Sequence, residues 1–488
     1  MNSVTKKQFI ENTIWKIIEQ FSGRGISLIV SIVLTRLLTP DDYGLIALTT
    51  IFTNFSDILI EGGFSAALIR KKQIDDNDYG CVFSVSSLVA VLLYSILFFS
   101  APYISIFYKE PRFTKVLRVI GLILFVQAFS STRNAFINRT MQFQLMMYCN
   151  IVAGSLSGGL GIVCAYYGLG VWALVIQRLS QQIILTLLLF IQIKWRIRWK
   201  FSWERFKEIV GFSSGVIGAS LLNYFGSSIY SAVIAKGYSV SDLGYYDKGI
   251  LLPEQISLNS FGAMTNVLFP TIASYQEELD RVKTIVRRTV CMTAFCIMPA
   301  MIGLMVIARN LVIVLFTEKW LLCVPIMQSF CIYYIATPFM LINVQVFLAL
   351  GRSEIRVKTE FIRLIIIITG VLVGRYILRC DIVVLAYINM LISVYASLLT
   401  TNETAKLIGY TWKEKIQDVW RPMAMALVMG IVITEIDKRI LSAVIEINII
   451  QMIIKILLGI FIYLFLCIFT QNKVFMEIKM FIKNKTIK

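Results

Sequence analysis

The chain has 488 residues, 57% of them hydrophobic, with a mean hydropathy of +0.75 and a formal net charge of +18. Soluble globular chains hold about 45–50% apolar residues, so the composition excludes an ordinary soluble domain and points to an integral membrane protein. Histidine is absent, and the nine cysteines are scattered without CxxC or ligand-like spacing. That pattern argues against a metal site, a disulfide framework, a cofactor and histidine-based catalysis.

Met1 to Gln8 is short and polar, and the first apolar run does not end in a small-residue cleavage site. It reads as a retained helix, not a signal peptide. About twenty apolar residues span a bilayer as a helix. Runs of that length predict helices over 10–36, 43–68, 79–104, 116–138, 144–167, 170–193, 209–235 and 246–272. Six more follow over 284–308, 322–350, 356–378, 381–401, 419–435 and 448–470, about fourteen in all, with no loop long enough for a separate folded domain. Placing the N-terminus inside gives the inner segments more than twice as many Lys and Arg as the outer ones. This asymmetry predicts both termini in the cytoplasm, although the basic loop 108–118 falls on the outer side. Because the positive charge alternates between loops, it sets membrane orientation and gives no reason to expect a nucleic-acid partner.

The stretch Glu19–Arg70 organises the chain as two helices joined by the polar turn Leu37–Gly44. Arg24 sits inside the first apolar run between Gly23 and Gly25. A cation at that depth costs about 2.5–3.5 kcal/mol unless it meets water or a counter-ion, so it suggests a wet path. The largest polar break, 194–207, alternates basic and aromatic residues as an interfacial segment does. It also separates two similar halves. Asp42-Tyr-Gly-Leu45 closes the first hairpin and Asp242-Leu-Gly-Tyr245 the one after the seventh helix; Phe21-Ser-Gly23 and Phe212-Ser-Ser214 open the corresponding helices. The expected organisation is an N-lobe of six helices (1–193), a basic and aromatic cytoplasmic linker (194–208), a second six-helix lobe (209–401), and two appended helices with a basic tail (402–488). Repeated lobes of this kind form transporters, with the substrate path at their interface.

Thr35-Arg-Leu-Leu-Thr-Pro-Asp-Asp-Tyr-Gly-Leu45, Gly62-Gly-Phe-Ser-Ala-Ala-Leu-Ile-Arg70, Gly168-Leu-Gly-Val-Trp-Ala-Leu-Val-Ile-Gln177, Leu243-Gly-Tyr-Tyr246, Pro253 and Phe269-Pro270 together resemble a known family. It is the polysaccharide flippases of the Wzx type, in the colanic-acid-exporter-like branch, within the superfamily of the MATE exporters and the lipid II flippase. The resemblance covers about the first 280 residues. It implies an all-α, MATE-like polytopic protein of fourteen helices whose two lobes surround a cavity that opens alternately to each side. It further implies, as cargo, an oligosaccharide on polyprenyl pyrophosphate in the bacterial inner membrane, with membrane lipids and other polysaccharide-assembly proteins as neighbours. Many relatives carry Asn-x-Asp in helix seven; here the segment reads Asn223-Tyr-Phe-Gly-Ser-Ser228-Ile-Tyr230, without the acid. An ion-coupling role at that position is therefore not carried over.

For an anionic pyrophosphate the candidate binders are Arg24, Arg178 and Lys248, because arginine can bond two phosphate oxygens at once. Arg24 has a structural alternative as the ion-pair partner of Glu19 or Glu61. Asp57 and Glu61 lie one turn apart on helix two and share a face; with Glu254 they stand either as coupling groups or as counter-ions. Ser27, Ser31, Asn54, Asn223 and Ser228 suit a wet, sugar-compatible lining or plain helix packing. Arg36, Arg70, Arg133 and Arg139 fall at predicted helix ends, where snorkelling explains them. Three other readings remain beside a saccharide flippase: a multidrug or lipid II transporter, a multipass polymerase or acyltransferase, and a scaffold for glycan assembly.

Overall fold

A computed structural model of the chain describes residues 6–62, 68, 75–193, 202–441, 445–472, 474–477 and 480. Among these the backbone is helical between short turns, with no strand. The helices are α1 (Lys6–Leu37), α2 (Pro40–Asp57) continued by a π turn over Ile58–Gly62, α3 (Asp76–Tyr108), α4 (Phe113–Ile120), α5 (Ile123–Thr140), α6 (Phe143–Tyr166), α7 (Val171–Gln192) and α8 (Trp203–Gly237). They continue as α9 (Val240–Ala273), α10 (Leu279–Leu315), α11 (Cys323–Ala349), α12 (Ser353–Leu372), α13 (Ile382–Ile408), α14 (Trp412–Ile436) and α15 (Asn448–Phe469). Contacts gather the chain into two units, Met1–Gly244 and Tyr245–Lys488. Ten helices among the described residues are long and apolar enough to cross a membrane. Their outer faces show why: α15 turns Leu457, Phe461 and Phe465 outward, a surface that lipid solvates and water does not.

Within the first unit, the sequence repeat has a physical form. Thr39 caps α2 by accepting from the Asp42 amide at 3.3 Å, while Asp42 Oδ2 accepts from the Thr39 amide at 3.1 Å. Ser239 and Asp242 repeat the reciprocal pair at the start of α9, each bond 3.0 Å. This is the capping box that satisfies two orphan donors of a new helix. Gly44 lies directly on the Val240 backbone and Gly244 on that of Pro40, so the two turns approach too closely for any side chain.

The small residues of α6 set how the helices of this unit pack. Gly154 and Gly158 take Ile26 and Val30 of α1 against the bare backbone, and Gly161 does the same for Gln177 of α7. This is the small-residue packing that membrane helices use, and it matches the sequence spacing Gly154-x-x-x-Gly158. Gly23 and Gly25, by contrast, face open space and bring no neighbouring backbone to Arg24. The helix expected over 116–138 is broken at Gly121–Leu122, where the Leu122 amide bonds Val119 O at 3.1 Å in a tightened turn. The Tyr94 hydroxyl donates to Arg118 O at 3.2 Å beside that break. In the basic loop, Arg112 pairs with Glu110 at 2.7 Å and Arg118 lies on the Phe98 ring at 4.1 Å. Arg205 fastens the start of α8 to the start of α3, bonding Asp78 at 2.8 Å and both oxygens of Asp75. The guanidinium holds the Asp75 carboxyl far below the usual carboxylate range.

The second unit is built around α10. One core joins Val282, Val286 and Val290 to Ile342, Val346 and Tyr410; another joins Ala294, Met298 and Ile302 to Met425, Met429, Ile433 and Tyr463. The last two long helices thus contribute side chains to this core. A buried polar knot ties α15 in place. Lys455 donates to Asn310 at 2.6 Å and pairs with Asp437 at 2.7 Å, and Asn310 donates to Gln451 at 2.7 Å.

Candidate functional site

Polar side chains of the first unit converge on the end of α2. Asp57 closes the helix and Glu61 stands in the π turn that follows, a helical distortion often found at functional sites. Gln127 and Asn134 stand two turns apart on α5, each against one carboxylate. Gln127 donates to Asp57, and Asn134 Nδ2 donates to Glu61 Oε1 at 3.3 Å. Arg178 on α7 is close enough to Asp57 for their charges to attract. From α8, the Tyr224 hydroxyl donates to Ile51 O and also bonds Ser228.

Three acceptor oxygens in this cluster are buried without a hydrogen-bond partner among the described residues: Asp57 Oδ1, Gln127 Oε1 and Asn134 Oδ1. A buried acceptor left unmatched costs about 1–3 kcal/mol, and a set of acceptors without donors is the environment that a proton or small cation satisfies. The cluster thus combines two facing carboxylates, unspent acceptors and one nearby guanidinium.

The structure brings Asp57, Glu61, Arg178 and Ser228 together, and adds Gln127, Asn134 and Tyr224, which sequence reasoning did not single out. Arg24, Ser27 and Ser31 form a stripe on α1, spaced to share one face and turned away from the Ile26–Val30 edge that packs on α6. Arg24 is half-buried and Ser27 exposed. Asn54 is exposed on α2. Asn223 lies on α8 with its side chain outside those described, and Arg70 and the linker over 194–201 lie outside the described residues. Arg133 needs correction: it is not a snorkelling end residue but is 2% exposed in α5, its guanidinium 3.2 Å from the Phe190 ring centre. α5 runs on beyond it to Thr140, and α7 covers it.

In the second unit, Lys248 is buried on α9, 5.8 Å above the Phe316 ring. Glu254 bonds the Tyr334 hydroxyl. Nearby, Asn389 donates to the Tyr246 hydroxyl at 2.9 Å and Arg363 Nε donates to Glu360 at 3.1 Å.

Membrane-length helices with outward apolar surfaces, and ionisable groups held inside them, define a multi-pass membrane protein. The profile of the family described as polysaccharide biosynthesis protein matches residues 33–325, and the chain belongs to that family. It is 22% identical over 434 residues to the teichuronic acid biosynthesis protein TuaB of Bacillus subtilis, covering 88% of this chain and 89% of that one. It is 22% identical over 328 residues to the succinoglycan biosynthesis transport protein ExoT of Rhizobium meliloti, covering 67% of this chain and 66% of that one. Among solved structures, the lipid II flippase MurJ in an inward closed conformation superposes with a TM-score of 0.74 at 16% identity, over 94% of this chain and 100% of that one. That likeness establishes a shared fold.

Proposed function

We propose that the chain is a flippase. It moves an oligosaccharide repeat unit linked to polyprenyl pyrophosphate from the inner to the outer leaflet of the bacterial inner membrane. The product is a surface polysaccharide such as O-antigen, capsule or exopolysaccharide. In this reading the chain crosses the membrane fourteen times with both termini in the cytoplasm, and the lobes 1–193 and 209–401 rock about a central path. No bond of the cargo is made or broken.

The observation that carries the reading is the cluster of Asp57, Glu61 and Arg178 inside a membrane bundle of the polysaccharide biosynthesis family. In this reading Asp57 and the cargo pyrophosphate compete for Arg178. A proton taken up at Asp57 Oδ1 turns one orphan acceptor into a donor and removes the competing charge, which frees Arg178 for phosphate. Its loss returns Arg178 to Asp57 and releases the cargo. Arg24 provides a second cation, and Ser27 and Ser31 line a face that tolerates sugar hydroxyls. The polyprenyl tail stays in lipid throughout.

The test is a strain lacking this gene, complemented with wild type, Asp57→Asn or Arg178→Ala at matched membrane levels. Loss of surface polysaccharide, with build-up of the lipid-linked unit, is expected in the deletion and in both variants. Unchanged surface polysaccharide in the deletion overturns the flippase assignment.

A further inference from the structure

Away from the carboxylate cluster, the second unit holds a cavity of about 220 Å³ lined by α10, α11, α13 and α14. Its walls include Phe339, Leu398, Trp412, Val419, Trp420 and Met423. The space is smaller than the roughly 300–1,000 Å³ of pockets that enclose drug-sized ligands, which leaves no room for an oligosaccharide. Leu398, Trp412, Trp420 and Met423 are also exposed on the outer surface, so the cavity opens sideways, where acyl chains lie. One charged group heads it: Lys415, 9% exposed.

That ammonium is under-satisfied. It has three donors; one reaches Thr401 O at 2.9 Å, and the Tyr410 ring lies 4.9 Å away. The acids beside it in sequence are engaged by other groups. Glu414 pairs with Lys283 at 2.9 Å, and Asp418 pairs with Arg287 at 2.8 Å and accepts from the Tyr410 hydroxyl at 2.7 Å. Lys415 is therefore a desolvated cation with no carboxylate on it among the described residues, placed at the mouth of an apolar slot and flanked by two tryptophans. Tryptophan prefers headgroup depth.

We propose that this slot is a binding site for one anionic phospholipid, its phosphate on Lys415 and the first part of an acyl chain in the cavity. The site is separate from the transport path of the flippase reading and does not depend on it. Lys413 and Arg421, both exposed on the same helical turns, add positive potential at the headgroup.

The experiment uses the purified full chain, delipidated and exposed to an equimolar mixture of phosphatidylglycerol and phosphatidylcholine, with bound lipid counted by native mass spectrometry. Wild type is expected to retain phosphatidylglycerol preferentially. Lys415→Gln should lower the phosphatidylglycerol-to-phosphatidylcholine ratio about fivefold, the worth of one interfacial lysine on an anionic headgroup. Lys415→Arg should keep the preference, and the exposed control Lys413→Gln should lose less of it. Leu398→Trp, which plugs the slot from its exposed rim and leaves Lys415 intact, should lose the bound lipid, so the test survives if Lys415→Gln fails to fold. Equal binding of the two lipids by wild type, or an undiminished preference in both Lys415→Gln and Leu398→Trp, overturns the proposal. Displacement of phosphatidylglycerol by millimolar inorganic phosphate also overturns it, in favour of a simple phosphate site.

Discussion

Gly161 offers a sharp check on how the first unit is packed. A methyl at this position would sit 2.7 Å from Gln177 Cβ and 3.0 Å from its Cγ, with Ala173 O at 3.5 Å. Ordinary carbon contacts lie near 3.5–4.0 Å, so Gly161→Ala must push α7 from α6 by most of an ångström. The Gln177 Cβ is fixed to its backbone and cannot swing aside. Overpacking of this size costs about 1–3 kcal/mol. Gly159→Ala is the control, since its methyl meets nothing within 4 Å; alanine's better helix propensity should leave it neutral or slightly stabilised. The assay is thermal unfolding in detergent followed by a thiol-reactive fluorophore, with buried Cys149 on α6 among the reporters. Gly161→Ala should melt several degrees below wild type, and adding Gln177→Gly, which removes the clashing Cβ, should recover part of the loss. Equal melting of Gly161→Ala and Gly159→Ala would refute the packing described.

Other perturbations reach different parts of the molecule. Lys455→Ala strips the knot that holds α15 and takes the donor from buried Asn310 Oδ1; a buried acceptor left unmatched costs about 1–3 kcal/mol. It should melt earlier and become cleavable between α14 and α15, and unchanged protease resistance would count against it. Asp57→Asn keeps the shape of the cluster and removes its charge, so it should abolish transport without lowering the melting temperature; a drop matching that of Gly161→Ala would make the residue structural. At the start of α8, Arg205 depresses the Asp75 carboxyl. A depressed acid stabilises the fold above the ordinary carboxylate range, and that stabilisation drains away as the pH falls below about 4. Hydrogen exchange over 202–207, corrected for intrinsic rate, should therefore rise on acidification in wild type and already be high near neutral pH in Arg205→Gln. Identical profiles would exclude the anchor.

The helices were legible because lipid imposes a blunt rule on composition, and hydropathy follows it. Their ends were not. α14 begins at Trp412, with Thr411 and Glu414 forming a capping box, whereas a hydropathy reading starts at 419 because Lys413, Glu414, Lys415 and Asp418 mask the first two turns. Asp57 and Glu61 could be paired because they sit one turn apart on one helix. Gln127, Asn134 and Tyr224 could not, since neutral groups on apolar helices carry no hydropathy signal and their meeting with α2 depends on tertiary packing. The seven-residue spacing of Gln127 and Asn134 on α5 is the one cue that was available. Arg133 was misplaced for the same reason: only Phe190, 57 positions downstream in the chain, reveals that it is enclosed.

The most direct measurement of flipping uses purified protein in sealed vesicles containing a lipid-linked oligosaccharide with a fluorophore on its sugar. A membrane-impermeant quencher is added outside, with a pH gradient imposed in either direction. Wild-type protein should expose the inner-leaflet pool to the quencher, while empty vesicles and Asp57→Asn vesicles keep it protected. Protection of that pool by wild-type vesicles under both gradients would contradict transport of this cargo.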